Sequence, residues 1–581
     1  MAGSSSPSLS LVHGPLESPL CYLTLGQLVD QQSDRYGSKE ALIVPWSGAR
    51  LSFYDLSQRT QELARGLLAI GVRKGDRIAI FSSDDERFAE LFLAVARIGA
   101  ILVILNKTYT ILECDRAIRH TDASMLFLGD MVNRTATVTL IQHLQIHPIP
   151  GLKNIILMRT EHVEATWTLT WNDVLCAGAS VAKKMLDQVQ QEVRCHDTVN
   201  FQFTSGTTGA PKAVMLSHFG IINNGRICGY HLNMTPEDTV CCPPPMFHAF
   251  GLVCGLICSL AVGSAVIYPS RDFDAHTIVD ALIQERCTVL HGVPTMIVVM
   301  LQQLQERGQQ IETVRTGMLG GMKVPSAMVS EMKERFPRME VTIVYGQFHA
   351  ATPPFQRFTI DLALGMTETS AACFITSESD TTVQKLETVG KVLPHVWAKI
   401  VDSQGHLLPV ECRGELCVSG VMVQKGYYKD KKKTDAAMVW DEEGMLWLHT
   451  GDEATIDAEG YCRITGRIKD IIIRGGENIY PTEIEERLME HPVIEQAAVV
   501  GLKDDVYGEV VAAFLQSLPL QVRPSLNEVK GWVRQAFGRH KAPAHVFWVG
   551  PEDLIHEYPA TGSGKIRKDA LRKMGNMMLD T

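Results

Sequence analysis

The sequence predicts an α/β protein with more than one domain. Its 581 residues are too many for a single compact core. Short β-rich runs alternate with segments of helical periodicity over residues 77–105, and the same alternation returns over residues 288–345. Such alternation is typical of parallel sheets covered by helices.

The predicted elements of the first 345 residues follow one another closely. A helix begins at 51–55, carries leucines on one face and ends at Gly71. The later elements are strands at Arg77–Ser82 and Ala100–Leu105 around a helix through Phe88–Arg97, then a strand at Thr288–Leu290, a helix around Met296–Leu304 and a strand at Val341–Tyr345. The apolar run Phe250–Tyr268 is interrupted by glycines and serines, which favours a buried helix turning into a strand over a membrane span.

The last third of the chain changes character. Residues 403–466 contain Gly-rich turns and short strands such as Gly414–Val418, which predict a small β subdomain. Ser525-x-x-Glu528 is a capping box that begins a helix, so the final hundred or so residues predict a compact α/β domain. We therefore divide the chain into a flexible N-terminus at 1–23, an N-terminal domain at 24–468 and a C-terminal domain at 469–581.

Composition excludes several classes of protein. A net charge of −10 gives no support for nucleic-acid binding, and the fourteen cysteines show no metal-ligand spacing, so we expect reduced thiols. Met1–Pro19 has no Arg or Lys and lacks the features of a secretory signal or a mitochondrial presequence. Leu579-Asp580-Thr581 is not a peroxisomal address. We expect a cytoplasmic protein without a transmembrane segment.

The stretch Phe203–His218 carries the strongest chemical signal. Hydroxyls and backbone N–H groups at this density form an anion cradle, and Lys212 supplies a cation next to the cradle residues Thr204, Ser205, Gly206, Thr207, Thr208 and Gly209. An alternating strand precedes the loop and a helix follows it, which is where phosphate-binding backbone is usually presented. The alternative is a flexible polar linker. We interpret the stretch as a triphosphate loop.

A second chemical signal is the triplet Thr367-Glu368-Thr369. A hydroxyl beside a carboxylate suits a hard Mg²⁺ ion that is bound together with nucleotide phosphates. Considered alone, such a triplet is more often a helix cap or a turn.

The motif TSGTTGAPK resembles the signature of the adenylate-forming superfamily of acyl-CoA synthetases, adenylation domains and luciferases. Further motifs follow in the family's order, and the resemblance extends from about Thr24 to Lys573. Ligases of medium-chain fatty acids are the most similar, on NFQFTSGTTGAPK and IKDIIIRGGENIYPTEIEE. The resemblance implies two α/β subdomains and a β subdomain, followed by a small mobile C-terminal α/β domain on a hinge near Lys469.

The resemblance also implies nucleotide-binding roles for particular residues. Thr367 would contact phosphate, Glu368 would bind Mg²⁺ and Tyr345 would lie on the adenine of ATP. Asp452, in the motif His449-Thr450-Gly451-Asp452, would accept both ribose hydroxyls, and Arg467 would share the ribose and phosphate. Lys565, at the end of a loop of small residues, would stabilise the charge that develops during adenylation.

Other motifs imply contacts with the acid and with coenzyme A. His248, in Phe247-His248-Ala249-Phe250-Gly251, would line the floor of an acyl pocket, although a core histidine is the default reading of such a residue. Gly320 and Gly321 would line both adenine and the acyl group. The loop Gly475-Gly476-Glu477 would border the pantetheine tunnel, where missing side chains let a thiol chain approach.

One stretch departs from the family pattern. Family members continue directly from Tyr-Gly to x-Thr-Glu, but here the 19 residues Gln347–Gly365 separate Tyr345-Gly346 from Met366-Thr367-Glu368. Deleting them restores YGMTETS, and glycine stands at both junctions. Our hypothesis is a short intron retained and translated in frame, and the alternative is a genuine isoform loop. In either case we predict that this chain is impaired.

The implied reaction joins a fatty acid to CoA with ATP, through an acyl-adenylate, and releases AMP and pyrophosphate. ATP, Mg²⁺ and coenzyme A are therefore the expected substrates and cofactor. The alternatives are a stand-alone enzyme that loads a carrier protein or a polyketide or peptide synthase, a luciferase-like oxygenase, and an ATP-binding variant that the insert inactivates.

Overall fold

The computed structural model describes residues 8–132, 135–159, 168–204, 212–321, 326–347, 366–475, 477–560 and 566–579. Several predicted features lie outside these residues: the cradle residues Ser205, Gly206, Thr207, Thr208 and Gly209, the insert beyond Gln347, Gly476 and Lys565. For Tyr345 the backbone alone is described.

The strands occur along the whole described chain. They are β1 Leu11–His13, β2 Glu40–Val44, β3 Ala49–Ser52, β4 Arg77–Phe81, β5 Ile101–Ile104, β6 Met125–Leu128, β7 Met131–Val132, β8 Thr135–Ala136, β9 Asn154–Leu157, β10 Thr168–Thr170, β11 Thr198–Thr204, β12 Lys212–Ser217, β13 Thr239–Cys241, β14 Ala265–Ile267, β15 Val289–Leu290, β16 Thr316–Gly321, β17 Glu340–Gln347, β18 Phe374–Ile375, β19 Lys391–Val392, β20 Val396–Val401, β21 Gly414–Gly420, β22 Met438–Trp440, β23 Leu446–Ile456, β24 Cys462–Arg467, β25 Ile472–Arg474, β26 Glu477–Ile479, β27 Ile494–Asp504, β28 Gly508–Ser517 and β29 His545–Trp548.

The helices alternate with these strands. They are α1 Leu25–Tyr36, α2 Phe53–Ala69, α3 Glu86–Arg97, α4 Ile111–Thr121, α5 Val138–Ile146, α6 Trp171–Gly178, α7 Lys183–Glu192, α8 His218–His231, α9 Cys258–Val262, α10 Ala275–Gln284, α11 Pro294–Glu306, α12 Ser326–Arg335, α13 Thr382–Glu387, α14 Lys431–Ala437, α15 Pro481–Met489, α16 Leu526–Arg534 and α17 Lys568–Leu579. Short 3₁₀ turns lie at Pro45–Ser47, Thr367–Thr369, Ile468–Asp470 and Arg539–Lys541, and a π-helix spans Phe250–Ile257.

Two α/β sheets form most of the N-terminal region. Among the described residues, one has the strand order β10-β9-β6-β4-β5-β11-β12 and is parallel except for β12. The other has the order β19-β18-β17-β16-β15-β13-β14-β2-β3, with a parallel centre and antiparallel strands at its two ends. Parallel strands need helical crossovers, which is why helices cover both sheets. The predicted alternation of strands and helices is confirmed.

The remaining sheets correspond to the predicted β subdomain and C-terminal domain. The β subdomain is the antiparallel sheet β1-β20-β21-β23-β22, with β24 also paired to β23. It therefore extends from Val396 to Arg467 and includes a strand from the start of the chain. The C-terminal sheet has the order β26-β25-β28-β27, with β29 parallel to β28, and α15, α16 and α17 accompany it.

Capping boxes begin two of the helices, and the sequence analysis identified the one at Ser525. Ser52 and Asp55 form a capping box at the start of α2, and Ser525 and Glu528 form one at the start of α16. The run Phe250–Tyr268 is buried and consists of the π-helix, α9 and β14, which confirms the predicted helix that turns into a strand. No helix among the described residues is both long and apolar enough to cross a membrane.

The start of the chain requires a correction. We expected residues 1–23 to be flexible, but residues 11–13 form β1, which pairs antiparallel with β20. Further along, the backbone N–H of Cys21 donates to Asn223 Oδ1 of α8 at 2.7 Å. A Ser/Pro-rich segment lacks the periodicity that reveals a strand, because its partner β20 lies almost 400 residues away and supplies the ladder. Residues 8–23 are therefore part of the fold.

Candidate active site

The strands β11 and β12 hold the two described ends of the predicted triphosphate loop. Thr204 and Lys212 are direct partners in this antiparallel pair. The Lys212 ammonium lies 4.6 Å from the ring centroid of Tyr427. Burial lowers the pKa of Lys212, and the nearby Glu368 carboxylate acts against that shift. Lys212 is thus a partly buried cation near a carboxylate. A lysine of this kind is suited to binding phosphate.

The predicted metal ligand sits in a short 3₁₀ turn, Thr367–Thr369, that is fixed from both sides. Glu368 is 8% exposed, and its Oε1 accepts a hydrogen bond from the Tyr427 hydroxyl at 2.9 Å. Its backbone carbonyl accepts from the N–H of Gln424 at 2.8 Å. Burial and the Glu368 carboxylate raise the pKa of the Tyr427 phenol, so the hydroxyl keeps its proton and donates it.

The donor set at this turn fits Mg²⁺. Glu368 supplies a hard carboxylate, and among the described residues the Tyr427 bond is the one hydrogen bond that involves its side-chain oxygens. A hydroxyl donor on one oxygen leaves the second oxygen for a cation that is shared with phosphate. Thr367, which is half-buried, stands beside it in the same turn.

The predicted ribose-binding pair lies on the β subdomain. Asp452 of β23 faces Arg467 of β24, and Arg467 Nε lies 2.8 Å from Asp452 Oδ1. Asp452 is fully buried, and Arg467 Nη1 also donates to the carbonyl of Thr450 at 3.2 Å. The positive charge of Arg467 acts to lower the pKa of Lys212 and that of Tyr427, the residue whose hydroxyl donates to Glu368.

Sequence reasoning missed the residue that supports this pair. Glu415 Oε1 accepts from the backbone N–H of Gly451 at 3.1 Å, and its Oε2 lies 2.8 Å from His449 Nδ1. Glu415 thereby fixes the irregular part of β23 just before Asp452, where Gly451 has a φ of 72°. Cys417 Sγ lies 3.4 Å from the same histidine nitrogen, and burial raises the pKa of this thiol. Nothing in the sequence around Glu415 indicates that this side chain contacts His449 and Gly451.

Tyr427 was also missed. It bridges Lys212 and Glu368, yet neighbouring Tyr428 belongs to a separate apolar cluster on the other side of the sheet. The sequence offers one signal here. If the segment after Gly426 is extended, the two adjacent tyrosines point to opposite faces.

The predicted adenine-side residues lie at the carboxyl ends of parallel strands. Gly320 and Gly321 end β16, and in the neighbouring β17 Val344 pairs with Gly320 and Gln347 with Gly321. Tyr345 pairs with Phe374 of β18, the strand that follows the Glu368 turn in the chain. The backbone thus brings the three predicted residues to one edge of the second sheet, which is where ligands bind open α/β sheets.

His248 occupies the loop that precedes the π-helix. Its ring lies 4.1 Å from that of Phe247, and its backbone N–H donates to Pro245 at 3.1 Å. A Cβ on Gly251 would lie 2.2 Å from the Pro245 carbonyl, so glycine is required for this close turn. Below it, Phe250 stacks on the buried His291, whose pKa burial lowers to about 4. The loop therefore presents a half-buried histidine over an apolar layer.

The predicted pantetheine loop is the hairpin of β25 and β26. Gly475 has a φ of 58°, and its N–H donates to the carbonyl of Tyr507 at 2.8 Å. Glu477 is exposed, with its Oε2 3.5 Å from His540 Nε2. Both contacts lie within the C-terminal domain. These contacts do not connect the hairpin with Lys212 or Glu368.

The two domains meet near the predicted hinge. The Arg413 guanidinium of the β subdomain lies 4.5 Å from the ring centroid of Tyr480, just before α15. Burial and Glu453 of the β subdomain raise the pKa of Tyr480. Lys469 lies in the 3₁₀ turn Ile468–Asp470 between the domains, and burial lowers its pKa. The domains are thus joined by the turn Ile468–Asp470 and by contacts beside it, which include α15 against β24.

Comparison with known proteins identifies the family of the chain. The sequence profile of the AMP-binding enzyme family matches residues 29–353 and 355–428, and that of the AMP-binding enzyme C-terminal domain matches 483–565. The acyl-CoA ligase sidI of Aspergillus fumigatus is 43% identical over 98% of this chain and 94% of its own length. The mitochondrial medium-chain acyl-CoA ligase ACSF2 of Bos taurus is 33% identical over 97% of this chain and 89% of its own.

A solved structure gives the same result. ATP-bound MatB from Rhodopseudomonas palustris superposes with a TM-score of 0.77 and 25% identity, over 96% of this chain and 100% of its own. The predicted resemblance to the adenylate-forming superfamily and the predicted two-domain fold are both confirmed. From the matched profiles and the ligases that share its full length, the chain belongs to the AMP-binding enzyme family and is an AMP-forming acid–thiol ligase of the acyl-CoA synthetase type.

Proposed function

We propose that this ligase activates a fatty acid of medium chain length with ATP and transfers the acyl group to coenzyme A. The observation that supports the proposal is the pair of contacts that Tyr427 makes with Lys212 and Glu368, together with the buried Asp452–Arg467 ion pair. The medium-chain ligases among the relatives support the class of acid.

In the first half-reaction, the carboxylate of the acid attacks the α-phosphate of ATP and pyrophosphate leaves. Lys212 would bind the phosphates, with the cradle residues Thr204–Gly209 around them and Thr367 as a further phosphate contact. Glu368 would hold Mg²⁺, which when bound neutralises phosphate charge. Asp452 and Arg467 would orient the ribose, Tyr345 would cover the adenine beside Gly320 and Gly321, and Lys565 would stabilise the developing charge.

In the second half-reaction, the thiol of CoA attacks the acyl-adenylate and AMP leaves. The C-terminal domain would turn about Lys469 and bring the Gly475–Glu477 hairpin to the site. His248, half-buried over an apolar layer, would border the acyl group. The domain boundary would thus fall between residues 468 and 469. The cytoplasmic location stays a prediction.

The test is pyrophosphate release with ATP, Mg²⁺ and a panel of fatty and aryl acids, with and without CoA. We expect release that depends on CoA and is greatest with fatty acids of medium length. Equal release without CoA, together with acyl transfer to a carrier protein, would contradict the CoA-ligase assignment, and oxygen consumption would indicate an oxygenase. ATP binding without turnover for any acid would indicate an inactive variant.

A further inference from the structure

The segment Met422–Tyr428 connects the two halves of the proposed metal and phosphate site through its backbone. On one side it pairs with β12: Met215 N–H donates to Gly426 at 3.0 Å, and Tyr428 N–H donates to Ala213 at 2.9 Å. On the other side, Gln424 N–H donates to the Glu368 carbonyl at 2.8 Å. The segment is thus held between the strand that carries Lys212 and the turn that carries Glu368.

The side chain of Tyr427 makes the same connection. Tyr427 is opposite Val214 in an antiparallel bridge, so Lys212, two residues before Val214, is its diagonal neighbour on the same face. That register explains why the ammonium lies over the ring at 4.6 Å. The hydroxyl, at the other end of the ring, donates to Glu368 at 2.9 Å. Tyr427 is 5% exposed, so water offers little competition to either contact.

The arrangement keeps two opposite charges apart. The Glu368 carboxylate acts electrostatically on Lys212, yet in the described structure each of the two contacts Tyr427 and no ion pair joins them. If they paired directly, the carboxylate would lose affinity for a metal and the ammonium would lose affinity for phosphate, because each charge would already be neutralised. Tyr427 instead offers each charge an uncharged partner, its hydroxyl to Glu368 and its ring to Lys212.

The position of Tyr427 is itself over-determined. Its backbone N–H donates to Thr434 Oγ1 at 2.9 Å. The preceding Gly426 has a φ of 121°, and a Cβ there would lie 2.8 Å from Thr434 Cγ2. Glycine is therefore needed at 426 for the tyrosine to reach this place. A side chain fixed in this way can set a distance between two other groups.

We propose that Tyr427 is a positioning residue that holds the Glu368 carboxylate with its hydroxyl and the Lys212 ammonium with its ring, and so prevents them from pairing with each other. The proposal rests on the proposed function, since it assumes that Glu368 serves Mg²⁺ and Lys212 serves phosphate. It assigns separate tasks to the two ends of one side chain, and these tasks can be tested separately.

The test compares Tyr427→Phe, which keeps the ring, with Tyr427→Leu, which removes both contacts. Tyr428→Phe is the matched control, because that neighbouring hydroxyl donates to Asp122 on the other side of the sheet. Binding of ATP to each full-length protein is measured by calorimetry over a range of Mg²⁺ concentrations, without acid or CoA.

For Tyr427→Phe we expect the Mg²⁺ concentration at half-saturation to rise by about tenfold, with little change in ATP affinity at saturating Mg²⁺. For Tyr427→Leu we expect a further loss in ATP affinity of about threefold or more that saturating Mg²⁺ does not restore. The Tyr428→Phe control should resemble the unaltered chain in both measurements.

An unchanged Mg²⁺ requirement in Tyr427→Phe would overturn the proposal, as would an equal effect of Tyr428→Phe. If the leucine variant does not fold, the phenylalanine variant alone decides. Binding of Mg²⁺ and ATP by the unaltered chain without CoA-dependent turnover would contradict only the proposed function. Absence of ATP binding by the unaltered chain would overturn both.

Discussion

The nucleotide side of the site and the C-terminal hairpin differ in how far they are prepared for their tasks. Lys212, Glu368, Asp452 and Arg467 are held by buried contacts that come from several parts of the chain. The hairpin that carries Gly475 and Glu477 is exposed, and its described contacts stay within its own domain. If the proposed function holds, adenylation would use groups that are already in place, whereas thioester formation would depend on movement of a domain.

The largest expected effect comes from Glu368→Gln, which removes the charge of the proposed metal ligand without changing its size. We expect a fall of at least about 100-fold in ATP–pyrophosphate exchange, because a neutral amide binds Mg²⁺ more weakly than a carboxylate does. The matched control is the exposed Glu378→Gln, which should leave exchange unaltered. An exchange rate within a fewfold of the parent would show that the prepared side does not include this carboxylate.

Removal of the insert tests whether the nucleotide side of the site is correctly assembled in this chain. Deleting Gln347–Gly365 rejoins Tyr345-Gly346 to Met366-Thr367-Glu368. We expect exchange to increase by about 100-fold, because adenine and metal contacts must be placed to within about an ångström of each other. Exchange and CoA-dependent turnover are measured in both forms. Equal rates would make the insert a tolerated loop and contradict the predicted impairment.

Asp452→Asn weakens the prepared side at the ribose. Loss of the buried carboxylate charge should increase the KM for ATP by about 10- to 100-fold, because the hydrogen bonds from the ribose hydroxyls would no longer be charge-assisted. The exposed Asp505→Asn should have no effect on it. A thermal unfolding curve separates this loss from loss of the fold, because Asp452 also pairs with Arg467. An unchanged KM in a folded variant would remove Asp452 from the site.

The smallest expected effect belongs to the hairpin. Gly475→Ala places a side chain at a φ of 58°, while the nearest atom to the new Cβ is 3.6 Å away, so the effect comes from backbone strain. We expect CoA-dependent turnover to fall about fivefold and ATP–pyrophosphate exchange to stay unchanged. Gly531→Ala, in α16 of the same domain with open space around it, is the control. An equal fall in exchange would contradict the separation of the two sides.

What the sequence could predict depended on local patterns. The alternation around β4 and β5, the helix start at 51–55 and the capping box at Ser525 are short-range signals, and each led to the right element. β1 was missed because its ladder is supplied by β20. Tyr427 and Glu415 were missed because the side chains that reveal their roles, Glu368 and His449, lie 59 and 34 residues away in the chain. The resemblance to a family supplied the proposed roles of Glu368 and Asp452, but it carried no information about the side chains that hold them.

The early strand β1 has a mechanical consequence for the moving domain. Residues 8–23 run from the β subdomain to α8, since β1 pairs with β20 and Cys21 bonds to Asn223. The β subdomain also ends in the hinge turn at Ile468–Asp470. The opening segment therefore ties the β subdomain to α8, and it would steady the subdomain about which the C-terminal domain is proposed to turn. Removing the residues before 24 would therefore loosen the β subdomain, while the hinge turn Ile468–Asp470 itself would stay intact.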